Sequence, residues 1–148
     1  MARLELPKRI DAPPAAVFAY VDAHENYHWM FRTPRLTWTT PRHELGAKLQ
    51  MEMRLGGVPV MVESVTTEVV PGAKLAGVLA AGLVGAWEWR FEAEGDGTRL
   101  TLITDYELPI GVLGKLVDRV IVERGLRSDL EWALDEIKRT VESHSQAA

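Results

Sequence analysis

The sequence predicts an α+β fold: a curved antiparallel sheet of six to seven strands wrapped around a long C-terminal helix, with two short helices after the first strand. Three observations carry this. Residues 36–108 break into short runs of alternating apolar and polar residues, separated by Gly- and Pro-rich turns. From about Val112 to Glu142 the apolar spacing changes to three and four, the period of a helix. No other segment is long enough to cover the apolar face that such a sheet presents. One helix is about 10 Å wide, while six strands at about 4.8 Å spacing span well over 20 Å. A flat sheet would leave apolar surface bare, so the sheet has to curl, and a curled sheet gripping one helix tends to enclose a space.

The elements follow in order. Leu4, Leu6 and Ile10 mark the first strand. Pro13-Pro14 opens a helix, with Asp11 or Ala12 near its cap, because proline is tolerated where N–H groups have no intrahelical partner. Val17, Phe18 and Val21 form its apolar stripe, and a second short helix holds Glu25 to Met30. "LTWTT" (36–40) alternates weakly. "KLQMEMRL" (48–55) alternates cleanly, with Leu49, Met51, Met53 and Leu55 on one face. Gly56-Gly57 turns the chain into "VPVMVESVTTEVV" (58–70), whose uneven parity points to a bulge, and Pro71-Gly72 closes it.

Residues 75–91, "LAGVLAAGLVGAWEWRF", are the oddest stretch. The run without charge is about 13 residues, short of the roughly 20 a spanning helix needs. Its glycines weaken a helix, and Trp87, Trp89 and Phe91 alternate with charges. It therefore reads as two strands joined near Ala81 to Gly85. "EGDG" (94–97) is a hairpin turn. In "TRLTLITDYEL" (98–108), Leu100, Leu102, Thr104 and Tyr106 share one side, and Ile103 is an apolar exception on the other. The closing helix carries Leu113, Leu116, Val117, Val120, Ile121, Leu130, Leu134, Ile137 and Val141, with a kink expected at Gly125 and a disordered tail from about Ser143.

Length and composition narrow the function. The 148 residues fit one domain. No cysteine is present, so there is no disulfide or thiolate zinc site. The net charge is −4 with bases scattered among acids, against a nucleic-acid footprint. The N-terminal residues lack a signal-peptide core, which points to the cytoplasm. No Walker loop, nucleophile elbow or dinucleotide fingerprint appears, and no cofactor is expected. His24 and His28 have the four-residue spacing of a zinc pair, but the surrounding zincin pattern is missing, and two surface histidines are the simpler reading. Arg119, Arg124 and Arg127 read as a solvated helix face.

The segments "IDAPPAAVFAYVDAHENYHWM" (10–30), "EVVPGAKL" (68–75), "WEWRFEAEGDGTRLTLITDYELP" (87–109) and "LEWALDEIKRTVE" (130–142) together resemble the START-like, or SRPBCC, superfamily with its helix-grip fold. The branch they most resemble is the polyketide cyclase/dehydrase-like one. The resemblance implies an internal cavity for apolar ligands such as lipids, sterols or polyketides. It implies no single activity, since the superfamily includes carriers, sensors and cyclases.

The residues expected to line such a cavity are Trp29, Trp38, Met51, Met53, Trp87, Trp89, Leu102, Tyr106, Leu113, Leu116 and Val120. The small residues at 76, 77 and 80–82 are expected to leave the room, opposite an aromatic wall. Tyr106 and Glu63 are weak catalytic candidates. Facing inward, Glu63 would be desolvated and poised to exchange protons; facing outward, it is inert. The function expected is binding of a small hydrophobic or aromatic ligand, as carrier, sequesterer or sensor, by a monomer or homodimer. The alternative is a cyclase or dehydratase that uses the same cavity.

Overall fold

The computed structural model describes residues 2–55, 57–108 and 119–147. Seven strands form one antiparallel sheet: β1 (Ala2–Ile10), β2 (Leu36–Trp38), β3 (Lys48–Leu55), β4 (Val58–Val70), β5 (Lys74–Ala81), β6 (Val84–Glu94) and β7 (Gly97–Glu107). Among the described residues three helices accompany them: α1 (Pro14–Asp22), α2 (Tyr27–Met30) and α3 (Arg119–Ala147), with a 3-10 turn at His24–Asn26 just before α2. The sheet order is β1-β7-β6-β5-β4-β3-β2. Strands β2 to β7 are therefore a meander, and the first strand closes against the last.

Alternation decided most of this. In β3 the buried positions are Leu49, Met51, Met53 and Leu55, all on the face predicted to be apolar. Trp89, Phe91, Leu100, Leu102 and Tyr106 are likewise buried, while Arg54, Arg90 and Arg99 are exposed. The suspected irregularity in β4 is real: its register against β5 shifts between Glu63 and Ser64 and again between Thr66 and Glu68. Ile103 is buried despite lying on the outer side of β7, because β7 is flanked by both β1 and β6.

The closing helix differs from expectation in which residues it turns inward. Its inner stripe is Val122, Leu126, Leu130, Ala133, Leu134, Ile137 and Val141. Val120 and Ile121 are 55% and 56% exposed, because stepping back from Leu130 by fours reaches 126 and 122. One helix spans Arg119–Ala147, Gly125 included. The predicted helical residues 112–118 lie outside the described residues.

The N-terminal elements clamp the far end of α3. Lys8 pairs with Asp135. Lys138 donates to the Arg9 carbonyl at 3.0 Å. Glu142 accepts the Asp11 backbone N–H at 2.7 Å and the Lys138 ammonium at 2.6 Å. Burial alone would raise the Glu142 carboxyl, but these bonds outweigh it and hold it below the ordinary value. Phe18 on α1 meets Phe91 on β6 edge to face, 5.1 Å between centroids, and so fills the wedge between sheet and helix at that end. None of the helices in the described residues is long and apolar enough to cross a membrane.

Candidate functional site

At the other end of α3 the wedge is not filled. A cavity of about 80 Å3 lies between the concave face of the sheet and the helix. A single water needs only about 10–15 Å3 on this kind of measure, so the space is a chamber rather than a packing defect. The sheet contributes Leu49, Met51 and Met53 from β3, Val62 and Ser64 from β4, Leu79 from β5, Trp87 and Trp89 from β6, and Leu102 and Thr104 from β7. Leu126 and Leu130 close it from the helix, and Tyr27, Phe31 and His43 from the segment between α1 and β3. A mostly apolar wall with a few convergent polar groups is the usual make-up of a small-molecule site.

Of the residues expected here, Met51, Met53, Trp87, Trp89 and Leu102 line the cavity. Trp29 does not: it is 65% exposed on the outer side of α2. Trp38 sits opposite Leu49 in the β2–β3 pairing and so shares its inward face, but on the edge strand it remains 37% exposed, beside His28. Tyr106 is buried in the core and absent from the cavity wall; burial raises its hydroxyl pKa. Val120 points away from the core, and Leu113 and Leu116 lie outside the described residues. Glu63 takes the outward alternative. Its neighbours Val62 and Ser64 line the cavity across the bulge, while its carboxylate meets Gln50 Nε2 at 3.4 Å on the outer face.

The small-residue strand also corrects the expectation. Along β5, Leu75 and Gly77 are buried and Leu79 lines the cavity, while Val78 and Ala80 are exposed. Ala76 and Ala80 therefore face outward, and the room does not come from them. Gly77 faces inward but leaves no void. A Cβ there would lie 2.1 Å from the Val65 carbonyl oxygen and 2.5 Å from the Trp87 ring. Its missing side chain leaves the space that the Trp87 indole occupies. The Trp87 Nε1 is the one buried side-chain polar atom without a hydrogen-bond partner among the described residues.

The polar part of the wall was missed by sequence reasoning. Strand-like pairing of Ala23 with Arg42 brings His43 back against the end of α1. His43 Nδ1 lies 3.0 Å from the Asp22 carbonyl oxygen and 3.4 Å from Asp22 Oδ1, and its backbone N–H donates to Oδ1 at 3.1 Å. Burial alone would raise the Asp22 carboxyl, but the His43 hydrogen bonds outweigh it and hold it below the usual value. The other His43 nitrogen, Nε2, is 3.3 Å from the Tyr27 hydroxyl. Burial raises the Tyr27 hydroxyl strongly, against a smaller opposing effect from its hydrogen bond with Trp89. His24 is no surface residue: it is 1% exposed, packs 4.2 Å from the His43 ring, and binds the Thr40 carbonyl through Nδ1 at 2.7 Å. Burial, helped by His43, lowers its pKa to about 4. His28 turns instead to the Thr33 carbonyl, so the two histidines share no ligand position.

A meander curled around one long helix, with an apolar chamber beneath that helix, defines a helix-grip protein of the START-like kind. More narrowly, residues 1–142 match the family described as polyketide cyclase / dehydrase and lipid transport, and the chain belongs to that family. No curated protein sequence matches it. Among solved structures, a protein from Thermus thermophilus is 21% identical, with a TM-score of 0.81 over 97% of this chain and 99% of the other. The Zhui aromatase/cyclase from a Streptomyces species is 20% identical, with a TM-score of 0.73 over 95% of each chain. The di-domain aromatase/cyclase StfQ of the steffimycin biosynthetic pathway is 16% identical, with a TM-score of 0.78 over 97% of this chain and 52% of StfQ. At these identities the likeness is one of fold.

Proposed function

We propose that this protein binds a small, flat, hydrophobic or aromatic molecule in the chamber between sheet and α3, as a carrier, sequesterer or sensor. The observation that carries the reading is the chamber itself: about 80 Å3 of unfilled space walled by Leu, Met, Val, Phe and Trp side chains. Empty apolar space lowers stability in proportion to its volume, and a ligand that restores the missing contacts offsets that loss. Met51 and Met53 suit ligands of variable shape, because the thioether chain adapts. The reading places the protein in the cytoplasm as a monomer or homodimer.

The test is binding of an apolar fluorescent dye such as ANS to the native protein, with displacement by fatty acids, sterols or flat polyketides. Met53→Trp, which adds volume inside the chamber, is expected to abolish the signal. Native protein that binds no apolar probe would overturn the reading. Native mass spectrometry of protein from its own host would name the chemical class of a copurified ligand.

A second reading, a cyclase or dehydratase, is favoured by one observation: Tyr27 and His43 stand in the same wall, with Asp22 behind His43. A chamber that folds a flexible substrate into a reactive shape supplies much of the rate by positioning alone. Turnover of an aromatic-ring precursor by the wild type, lost in His43→Asn with ligand binding retained, would place this reading ahead.

A further inference from the structure

The hydrogen bonds in the polar wall have a fixed direction. The Asp22 main-chain oxygen can only accept, so His43 Nδ1, 3.0 Å away, carries the proton. The Asp22 carboxylate, 3.4 Å from the same nitrogen, favours the same tautomer. A neutral imidazole protonated at Nδ1 is an acceptor at Nε2. The Tyr27 hydroxyl, 3.3 Å from Nε2, therefore donates to it. The Tyr27 hydroxyl has thus committed its proton to His43. What its oxygen has left to offer is acceptor capacity, on a side chain that lines the chamber.

We propose that the chamber selects molecules bearing a hydroxyl donor, a phenol or an enol, whose O–H bonds to the Tyr27 hydroxyl oxygen at the head of the Asp22–His43–Tyr27 chain. This deepens the binding reading above and rests on it. A ketone or an ether brings no proton to that position. An ammonium group would have to lose its water against an apolar wall. A hydroxyl on a flat ring meets both demands. Each bond in such a chain polarises the next, and the Asp22 carboxylate at its far end strengthens the pull on the ligand's proton.

The test compares para-cresol with para-methylanisole, the same ring with and without the donor, at about pH 8, below the pH at which this phenol ionises and above the ordinary histidine range. A merely apolar chamber favours the ether. The proposal expects wild-type protein to bind the phenol about tenfold more tightly, and Tyr27→Phe to remove that preference while still binding the ether. Tyr27 is a core residue, so a second measurement needs no variant: nitrogen NMR of the His43 ring at the same pH is expected to show the proton on Nδ1 and a response of Nε2 to para-cresol. Equal affinities for the two probes, or a ring protonated at Nε2 alone, would overturn the proposal and leave the binding reading standing. Failure of both probes to bind would overturn the two together.

Discussion

The two ends of α3 pack on the same sheet with opposite results. Around Leu134, Ile137 and Val141 the interface is solid: α1 wedges in with Phe18 against Phe91, and β1 fastens the helix through Lys8, the Arg9 carbonyl and Asp11. Around Leu126 and Leu130 the facing strands are β3 to β7, and the wedge holds Tyr27 and His43 together with a chamber. One end is closed by α1 and the other by residues 23–47, which bring α2, β2 and the loop that carries His43. The difference teaches that the cavity is a property of the filler segment, residues 23–47, rather than of small residues in the sheet.

Four measurements would break or sharpen that contrast. The largest effect belongs to the solid end. Ile137 is fully buried, and Ile137→Ala is expected to cost about 4 kcal/mol in denaturant unfolding. Leu130→Ala, whose side chain already borders open space, is expected to cost about 2 kcal/mol. Equal costs at the two positions would erase the distinction.

Next comes Gly77→Val. Its Cβ would meet the Val65 carbonyl oxygen at 2.1 Å and the Trp87 ring at 2.5 Å, and backbone cannot retreat cheaply inside a sheet. A loss of about 3 kcal/mol is expected, with the Trp87 ring displaced into the chamber and ANS binding altered. A neutral effect would mean that the indole does not rest on this strand.

Acid should act on the chamber end through His24. Its folded pKa, about 4, lies below the ordinary 6.5, so the folded state resists a proton that the unfolded chain accepts. The associated stability is full above pH 6.5, declines as pH falls towards 4, and is gone below it. The shift corresponds to about 3 kcal/mol, and about 2 kcal/mol after allowance for solvent screening. Unfolding curves across this range should show the decline, and His24→Gln should flatten it. Hydrogen exchange at pH 5 should rise around residues 24–43 before it rises near Ile137. The smallest effect is expected at Ala80→Trp, on the exposed outer face: within about 0.5 kcal/mol, and no change in ANS binding.

Strand existence and register were legible wherever large residues alternate. Leu49, Met51 and Met53 fixed β3, and Trp89 and Phe91 fixed β6, because a one-residue slip would have put arginines inside. Parity was illegible at 76–81, where Ala, Gly and Val carry too little contrast to mark a face, and so the room was assigned to the wrong side chains. The family resemblance gave the chamber's existence but not its polar wall. Asp22, Tyr27 and His43 come from a helix end, a four-residue helix and a loop. They meet through the Ala23–Arg42 pairing, which leaves no periodic trace. The phrase "TTPRHEL" held the only hint, a histidine in an otherwise turn-like run.

The closure of the sheet also sets the order in which the protein can be finished. β1 has a single neighbour, β7, and Ala2 lies opposite Tyr106, about a hundred residues later in the chain. On the ribosome, the strand bearing Leu4, Leu6 and Ile10 waits unpaired while the six other strands are made. Contacts of such long sequence separation slow folding. Nascent chains interrupted before β7 should accordingly recruit chaperones through this waiting strand, and release them once residues 97–107 have emerged.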